Sequence, residues 1–301
     1  MKTLSFALLV VENNDYQAEQ VLAAQSAAQR SGIHLRVIRT EHDAILQGRE
    51  VLTLLQSRAE VRPNAILFEP VGTPLQQAAK MAAELGVGWV ILNRERVEYF
   101  PELRRQYATP MFSVSTSHLE VGRIQGEQIA RLMPSGGVIL YIQGASGNEA
   151  TGRRTAGMQE TKPANVEARM LHGVWTEESA YHAARSWLQL SIAKELALGA
   201  VVAQNDAMAL GAHKAFEELP AGAERARFLL LPFLGCDGHP GTGQAAVRKG
   251  LLTATIVIPP TAGHAIEVLG SALQTGKQPA ECIIREAHSF PPLASLQPLK
   301  N

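Results

Sequence analysis

The sequence is poor in several kinds of residue whose abundance would indicate a function. It contains two cysteines in 301 residues, 5% aromatic residues, and 28 Lys and Arg that balance 28 Asp and Glu. Two cysteines cannot build the disulfide framework of a small secreted domain. Because the chain has no net charge, it has no overall basic field to hold a phosphate backbone, and nucleic acid is not an expected partner.

Long apolar runs are also missing. No stretch approaches the roughly 18 apolar residues that a membrane span requires, so we expect a soluble globular protein without direct membrane insertion. The N-terminal segment MKTLSFALLVVENND starts like a secretory signal, with Lys2 before apolar residues. It lacks a small-residue cleavage site and ends in polar residues, so we interpret it as the first strand of the fold.

Motifs of catalysis and metal binding are equally scarce. The nine histidines show no HExxH or CxxC-type spacing, so neither a metal nor a cofactor is expected. There is no GxxxxGK[ST] loop, and Ser146 lacks the pattern of a nucleophile elbow. The run GTGQAA at 241–246 matches a dinucleotide fingerprint, but no strand leads straight into it, and a turn entering a helix is the better interpretation. The sequence therefore favours a binding protein over an enzyme.

Apolar runs alternate with helical stretches along the whole chain. Strands are predicted at 6–11, 35–38, 65–68, 89–92, 138–142, 168–171, 200–203, 228–234 and 253–258. Helices are predicted at 18–30, 44–56, 75–85, 119–133, 149–160, 178–196, 207–217, 243–249 and 261–274. This α/β alternation predicts parallel sheets with helices on both faces, and the length suits two such sheets. A short polar junction at 112–117 favours a hinge between two doubly wound, Rossmann-like lobes.

Polar side chains follow most of the predicted strands. Ligands of open α/β sheets bind outside the carboxyl ends of the strands, which makes these residues candidates for one site. They are Asn13, Asn14, Asp15, Tyr16, Glu69, Asn93, Arg94, Gln143, Trp175, Asn205, Asp206 and Asp237. Amides, carboxylates and guanidinium groups beside aromatic rings suit a polyhydroxylated ligand, since each hydroxyl both donates and accepts and the C–H face of a sugar packs on a ring.

Five segments in this order carry a family resemblance. They are NNDYQ at 13–17, VILNR at 90–94, IQGASGNEATGRRTAGMQE at 142–160, AQNDAMALGA at 203–212 and LGCDG at 234–238. The chain resembles the type I periplasmic sugar-binding proteins, the ribose-binding proteins among them, whose fold is shared with the effector domains of the lactose-repressor family. The resemblance implies an N-terminal lobe of residues 1–115 plus 258–287 and a C-terminal lobe of 116–257 plus 288–301. It also implies a three-segment hinge and a ligand captured in the interlobe cleft by hinge closure.

The resemblance implies ligand-binding roles for ten residues. They are Asn14, Tyr16, Gln17, Glu69, Asn93, Arg94, Arg154, Trp175, Asn205 and Asp237. Two positions depart from the family pattern, because Glu69 stands where an amide precedes proline and Ile258 stands where a glutamine is usual. The expected ligand is therefore a monosaccharide, polyol or sugar derivative that need not be ribose. Either Glu69 binds it and partly balances Arg94, or Glu69 turns away and pairs with a surface cation.

Other site residues also have structural alternatives. Asp206 directly precedes a helix-forming run, which favours a helix N-cap over a ligand contact. Trp175 stacks on the ligand or packs in the core, and Tyr16 stacks or packs on the first helix. Arg154 grips ligand hydroxyls or forms a surface ion pair.

The resemblance further implies a role and a partner. The protein would lie in the periplasm and deliver its ligand to the membrane permease of an ATP-driven (ABC) uptake system. The alternative is a ligand-sensing regulatory domain without its own DNA-binding segment, cytoplasmic if Met1 is the native start.

Overall fold

The fold is known from a computed structural model that describes residues 3–11, 14–72, 75–191, 193 and 196–298, excepting the side chain of Asp15. The chain forms two compact units. Unit 1 comprises Met1–Thr116 and Pro259–Arg285, and unit 2 comprises Ser117–Ile258 and Glu286–Asn301. The chain therefore passes from one unit to the other three times. Among helices within the described ranges, none is long and apolar enough to cross a bilayer.

Strands and helices alternate through both units. The strands are β1 Ser5–Val10, β2 His34–Arg39, β3 Ala65–Phe68, β4 Gly88–Leu92, β5 Met111–Thr116, β6 Gly137–Gln143, β7 Val166–His172, β8 Leu198–Ala203, β9 Phe233–Leu234, β10 Thr255–Val257, β11 Cys282–Arg285 and β12 His288–Phe290. The helices are α1 Asp15–Arg30, α2 Ala44–Gln56, α3 Gln76–Glu84, α4 Phe100–Gln106, α5 His118–Leu132, α6 Glu149–Thr161, α7 Glu177–Leu188, α8 Asp206–Glu217, α9 Ala223–Leu229, α10 Gly243–Arg248 and α11 Thr261–Thr275.

Unit 1 is built on a parallel sheet with strand order β11-β5-β4-β3-β1-β2. Side chains of β1 alternate between its two faces, with Phe6 and Leu8 in one core and Ala7 and Leu9 in the other. Helices α1 and α11 cover the first face, and α2 and α3 cover the second. The strand order reverses between β1 and β3, which is where doubly wound sheets bind their ligands.

Unit 2 repeats this arrangement with a parallel sheet of order β7-β6-β8-β9. Helices α7 and α8 supply one core, and α5 and α6 supply the other. The antiparallel pair β10-β12 continues the sheet through bridges from Leu234 to Ala254 and from Asp237 to Val257. Here the strand order reverses between β6 and β8. The predicted α/β class and doubly wound parallel sheets are thus present in each unit.

Two predicted elements are longer than the strand and the helix that the structure forms there. The run at 228–234 was predicted as one strand, but only Phe233–Leu234 is a strand, and Phe228 belongs to helix α9. Periodicity cannot separate a buried helix from a buried strand in an all-apolar run, and Pro232 has no N–H to continue either. The helix predicted at 178–196 ends at Leu188, where the N–H groups of Gln189 and Leu190 bond three residues back and tighten the last turn.

The polar junction predicted at 112–117 is also wrong over most of its length. Residues Met111–Thr116 form β5, a fully buried strand between β4 and β11. Ser113 and Ser115 make this strand look like a loop in the sequence, yet they are 1% and 0% exposed. Helix α4 was not predicted, and it begins with Pro101 in its first turn. Both elements bury their apolar side chains against residues distant in sequence.

Candidate functional site

In unit 1 the predicted site residues form one hydrogen-bonded network at the carboxyl ends of β1, β3 and β4. The Tyr16 hydroxyl donates to Asn93 Oδ1 at 2.8 Å. Asn93 Nδ2 donates to Glu69 Oε2 at 2.9 Å, and Gln17 Nε2 donates to the same oxygen at 2.8 Å. Each amide orientation follows from its partners, because a carboxylate only accepts. The network holds the Glu69 carboxylate among neighbouring site residues.

The main chain on either side of Pro70, which carries Glu69, is held by the side chain of Gln47 on α2. Gln47 Nε2 donates to the Glu69 carbonyl at 2.9 Å, and its Oε1 accepts from the N–H of Val71 at 2.9 Å. Asn93 has φ of 58°, a left-handed conformation that asparagine tolerates better than most residues. Gln47 was not among the predicted site residues, and its position inside the apolar pattern of a helix was the signal that could have revealed it.

Two further residues of unit 1 lie at the same edge. Asn14 is the N-cap of α1, and its Oδ1 accepts from the N–H of Gln17 at 2.9 Å. Arg94 directs Nη2 at the Pro70 carbonyl, 3.4 Å away. Asn13, also collected from the strand ends, lies outside the described residues. Asn14 thus has a structural role that a ligand contact would have to share.

A small pocket opens beside the network. Its lining includes Gln17, Glu69 and Asn93, together with Gln20 and Thr261, and the ends of β1 and β4 close its floor. It has room for about one water-sized group. The pocket lies wholly within unit 1.

In unit 2 three predicted residues come together around a buried guanidinium group. Arg154 on α6 is 6% exposed. Its Nη1 donates to the Gln204 carbonyl and lies 3.9 Å from Asp237 Oδ1, and its guanidinium carbon lies 5.4 Å from the ring centre of Trp175. A buried arginine facing a carboxylate and an aromatic ring differs from the surface ion pair that was its alternative. Such a group offers fixed donors beside an acceptor and a stacking face.

Asn205 has the capping role that the sequence suggested for Asp206. Asn205, not Asp206, is the N-cap of α8, and its Oδ1 accepts from the N–H of Met208 at 2.9 Å. Its Nδ2 donates to the Trp175 carbonyl at 2.9 Å. The predicted N-cap role of Asp206 is therefore wrong. Asn205 supports the loop that carries Trp175, which has φ of 70°.

Asp206 is instead a buried carboxyl group inside unit 2. Its Oδ1 accepts from the Thr255 hydroxyl at 2.6 Å and its Oδ2 from the Gly238 N–H at 2.8 Å. Burial raises the pKa of Asp206 well above its ordinary value, and repulsion from Asp237 acts in the same direction, against the two hydrogen bonds. Because Gly238 follows Asp237 directly, Asp206 holds the loop on which Asp237 stands with φ of 100°.

Two more residues support the unit 2 cluster without having been predicted. Gln204 is fully buried, its Oε1 accepts from the Gly144 N–H at 2.8 Å, and its Nε2 donates to the Tyr141 hydroxyl at 3.0 Å. A Cβ at Gly144 would lie 2.1 Å from the Trp175 ring, so only glycine lets the indole rest there. Ile258, the other departure from the family pattern, is 6% exposed.

The structure therefore assembles two clusters of predicted residues, one in each unit. Tyr16, Gln17, Glu69 and Asn93 are joined in unit 1, and Arg154, Trp175 and Asp237 adjoin one another in unit 2. Within the part of the chain that is described, no group of three or more His, Cys, Asp or Glu side chains is placed to hold a metal ion. The unit 1 cluster combines amide and carboxylate groups with an aromatic ring, and the unit 2 cluster combines a guanidinium group and a carboxylate with an aromatic ring.

Comparison with known proteins identifies the family. Residues 6–278 match the family model of the periplasmic binding protein domain. The chain therefore belongs to this family of binding proteins. The ribose import binding protein of Salmonella typhimurium is 24% identical over 274 residues, covering 89% of this chain and 84% of that protein.

Solved structures share the fold over nearly the whole chain. A galactofuranose binding protein superposes with a TM-score of 0.80 at 21% identity, covering 95% of this chain and 94% of the other. The periplasmic binding protein component of the arabinose ABC transporter from Shewanella sp. ANA-3 has a TM-score of 0.79 at 22% identity, covering 97% and 93%. The predicted family and the predicted fold class, a two-lobed type I periplasmic binding protein, are confirmed.

Proposed function

We propose that the protein is a solute-binding protein that captures a monosaccharide, polyol or sugar derivative for an ATP-driven uptake system. The observation that carries this proposal is the unit 2 cluster, in which the Arg154 guanidinium group lies near both the Trp175 ring and the Asp237 carboxylate. A donor-only fork and an acceptor-only carboxylate bind neighbouring hydroxyls of one sugar, while the indole packs on its C–H face. The names of the relatives support the same ligand class, since they refer to ribose, galactofuranose and arabinose.

In this proposal the unit 1 network binds the same ligand. Tyr16, Asn93 and Arg94 supply further polar groups, and Glu69 supplies a charged acceptor. A ligand that bonds to both units stabilises the closed conformation, in which both can bond to it at the same time. Capture therefore proceeds by closure about the three connecting segments. The periplasm is the proposed location and a membrane permease the proposed partner.

The ligand is identified by thermal unfolding against a panel of sugars and polyols. A ligand present at about 100 times its dissociation constant stabilises the protein by about 2.7 kcal/mol, which gives a clear shift of the midpoint. If no member of the panel shifts the midpoint, the proposed ligand class is wrong. Chemical turnover of a bound sugar would contradict a purely binding role.

The role of Glu69 is tested by titration calorimetry on the Glu69→Gln variant. A hydrogen bond to a charged group is worth about 1.5–3 kcal/mol, so we expect the affinity to fall by at least about tenfold. Glu84→Gln is the matched control, because Glu84 is an exposed residue at the end of α3, at the opposite edge of the unit 1 sheet. Equal affinity of the parent and Glu69→Gln for every ligand would remove Glu69 from the site.

Transport is separated from sensing in the native host. Deletion of the gene lowers uptake of the identified sugar if the protein serves a permease. Unchanged uptake with a lost transcriptional response to the sugar would support the regulatory role instead.

A further inference from the structure

Gln20 on α1 is a buried amide whose orientation the structure determines. Its side chain is 3% exposed and faces the start of α11. Gln20 Oε1 accepts from the N–H groups of Thr261 and Ala262, each at 2.9 Å, and from the Thr261 hydroxyl at 3.2 Å. Because a backbone N–H only donates, the oxygen must lie on the side of α11 and Nε2 must lie on the other.

The Nε2 atom of Gln20 is the part of this amide that is not accounted for. It is shielded from solvent, and no hydrogen-bond acceptor for it exists among the residues that the structure describes. Nearly all buried polar groups in folded proteins have a partner, so this donor calls for an acceptor that the described residues do not supply. Gln20 lines the pocket beside the unit 1 network, together with Glu69 and Asn93.

The chemistry of the pocket specifies the group it accepts. Gln20 presents a donor, whereas the Glu69 carboxylate only accepts. A hydroxyl satisfies both sides, because its oxygen accepts from Nε2 while its hydrogen is donated to a carboxylate. An ether oxygen lacks the hydrogen and a methyl group lacks both functions. The space for about one water-sized group matches one hydroxyl.

We propose that Gln20 is a further ligand-binding residue whose Nε2 donates to a single ligand hydroxyl received by this pocket. The inference rests on the proposed function, because it takes the ligand of the unit 1 network to be polyhydroxylated. It makes Gln20 a determinant of specificity, which selects ligands with a free hydroxyl at one position.

The test compares the sugar identified in the panel with its monodeoxy analogues, one for each hydroxyl. Titration calorimetry is performed on the parent, Gln20→Glu and Gln20→Met. Gln20→Glu keeps the acceptor for α11 and replaces the donor with a second acceptor, whereas Gln20→Met removes both. We expect both variants to bind the sugar about tenfold more weakly. For one analogue only, we expect the parent to lose a larger factor than the variants, because the variants have already lost the bond from Nε2.

A structural control separates binding from folding. Gln278 is also a unit 1 amide, and its Nε2 donates to the carbonyls of Tyr107 and Thr109 before β5, at the other end of the sheet. Gln278→Glu is expected to lower the melting temperature and to leave discrimination among the analogues as in the parent. Gln20→Met should be less stable than Gln20→Glu while both show the same discrimination.

Two outcomes overturn the inference, and they are distinguishable. If the parent binds the sugar and every deoxy analogue loses the same factor in the parent and in Gln20→Glu, the pocket holds only a water molecule. If the parent binds no sugar or polyol, the proposed function fails, and this inference fails with it.

Discussion

Replacing Thr255 with valine removes one hydrogen bond to the buried Asp206 carboxyl group and leaves the shape of the side chain nearly unchanged. Thr255 is fully buried, and its hydroxyl lies 2.6 Å from Asp206 Oδ1. A bond of this kind to an ionised group is worth about 1.5–3 kcal/mol, and a bond to a neutral group about 0.5–1.5 kcal/mol. The cost of Thr255→Val therefore depends on the protonation of Asp206.

The direction of that dependence follows from the pKa. Burial raises the pKa of Asp206 in the folded state above its value in the unfolded chain. Asp206 therefore contributes most to stability below the unfolded pKa of about 3.9, and its contribution falls as the pH rises toward the folded pKa. The Thr255 hydroxyl lowers the folded pKa, so its loss raises that pKa further. We expect the destabilisation to increase, by up to about 1 kcal/mol, as the pH rises through the folded pKa of Asp206.

Urea unfolding at several pH values measures this effect. A Trp89→Phe background removes the unit 1 tryptophan, so that fluorescence reports on unit 2. Thr261→Val, measured in the parent sequence that retains Trp89 as the unit 1 reporter, is the matched control, because Thr261 is also fully buried but donates to the neutral amide of Gln20. Its cost should not change with pH. A cost for Thr255→Val that is constant with pH, or that falls as the pH rises, would refute this account of Asp206.

Two further predictions concern local packing and capping, both measured by thermal unfolding. Gly243→Ala would place a Cβ 1.9 Å from Asp206 Oδ2 and should sharply lower stability, whereas Gly152→Ala in α6 meets no atom within 4 Å and should stabilise by about 0.5–1 kcal/mol. The reverse order would contradict the packing. Asn205→Ala should cost about 1 kcal/mol through loss of the α8 cap, and an unchanged melting temperature would show that the cap contributes nothing.

The alternation of strands and helices could be predicted because buried parallel strands are continuous apolar runs. Strand β5 was not predicted because its serines are polar. They are buried by the neighbouring strand β11, which is distant in the sequence. Helix α9 was not predicted because its apolar residues adjoin those of β9 without a change of composition.

The candidate site was likewise predictable in part from the sequence. The amino-acid sequence by itself determined where the polar groups stand, since each follows a strand and all carboxyl ends of a parallel sheet meet at one edge. Only the tertiary structure decided what those groups do. Asn205 became the cap and Asp206 the buried carboxyl group because Thr255 and Gly238, distant in sequence, reach Asp206. Gln20 gained its free donor because α11 occupies its oxygen, and no local pattern encodes a contact over 241 residues.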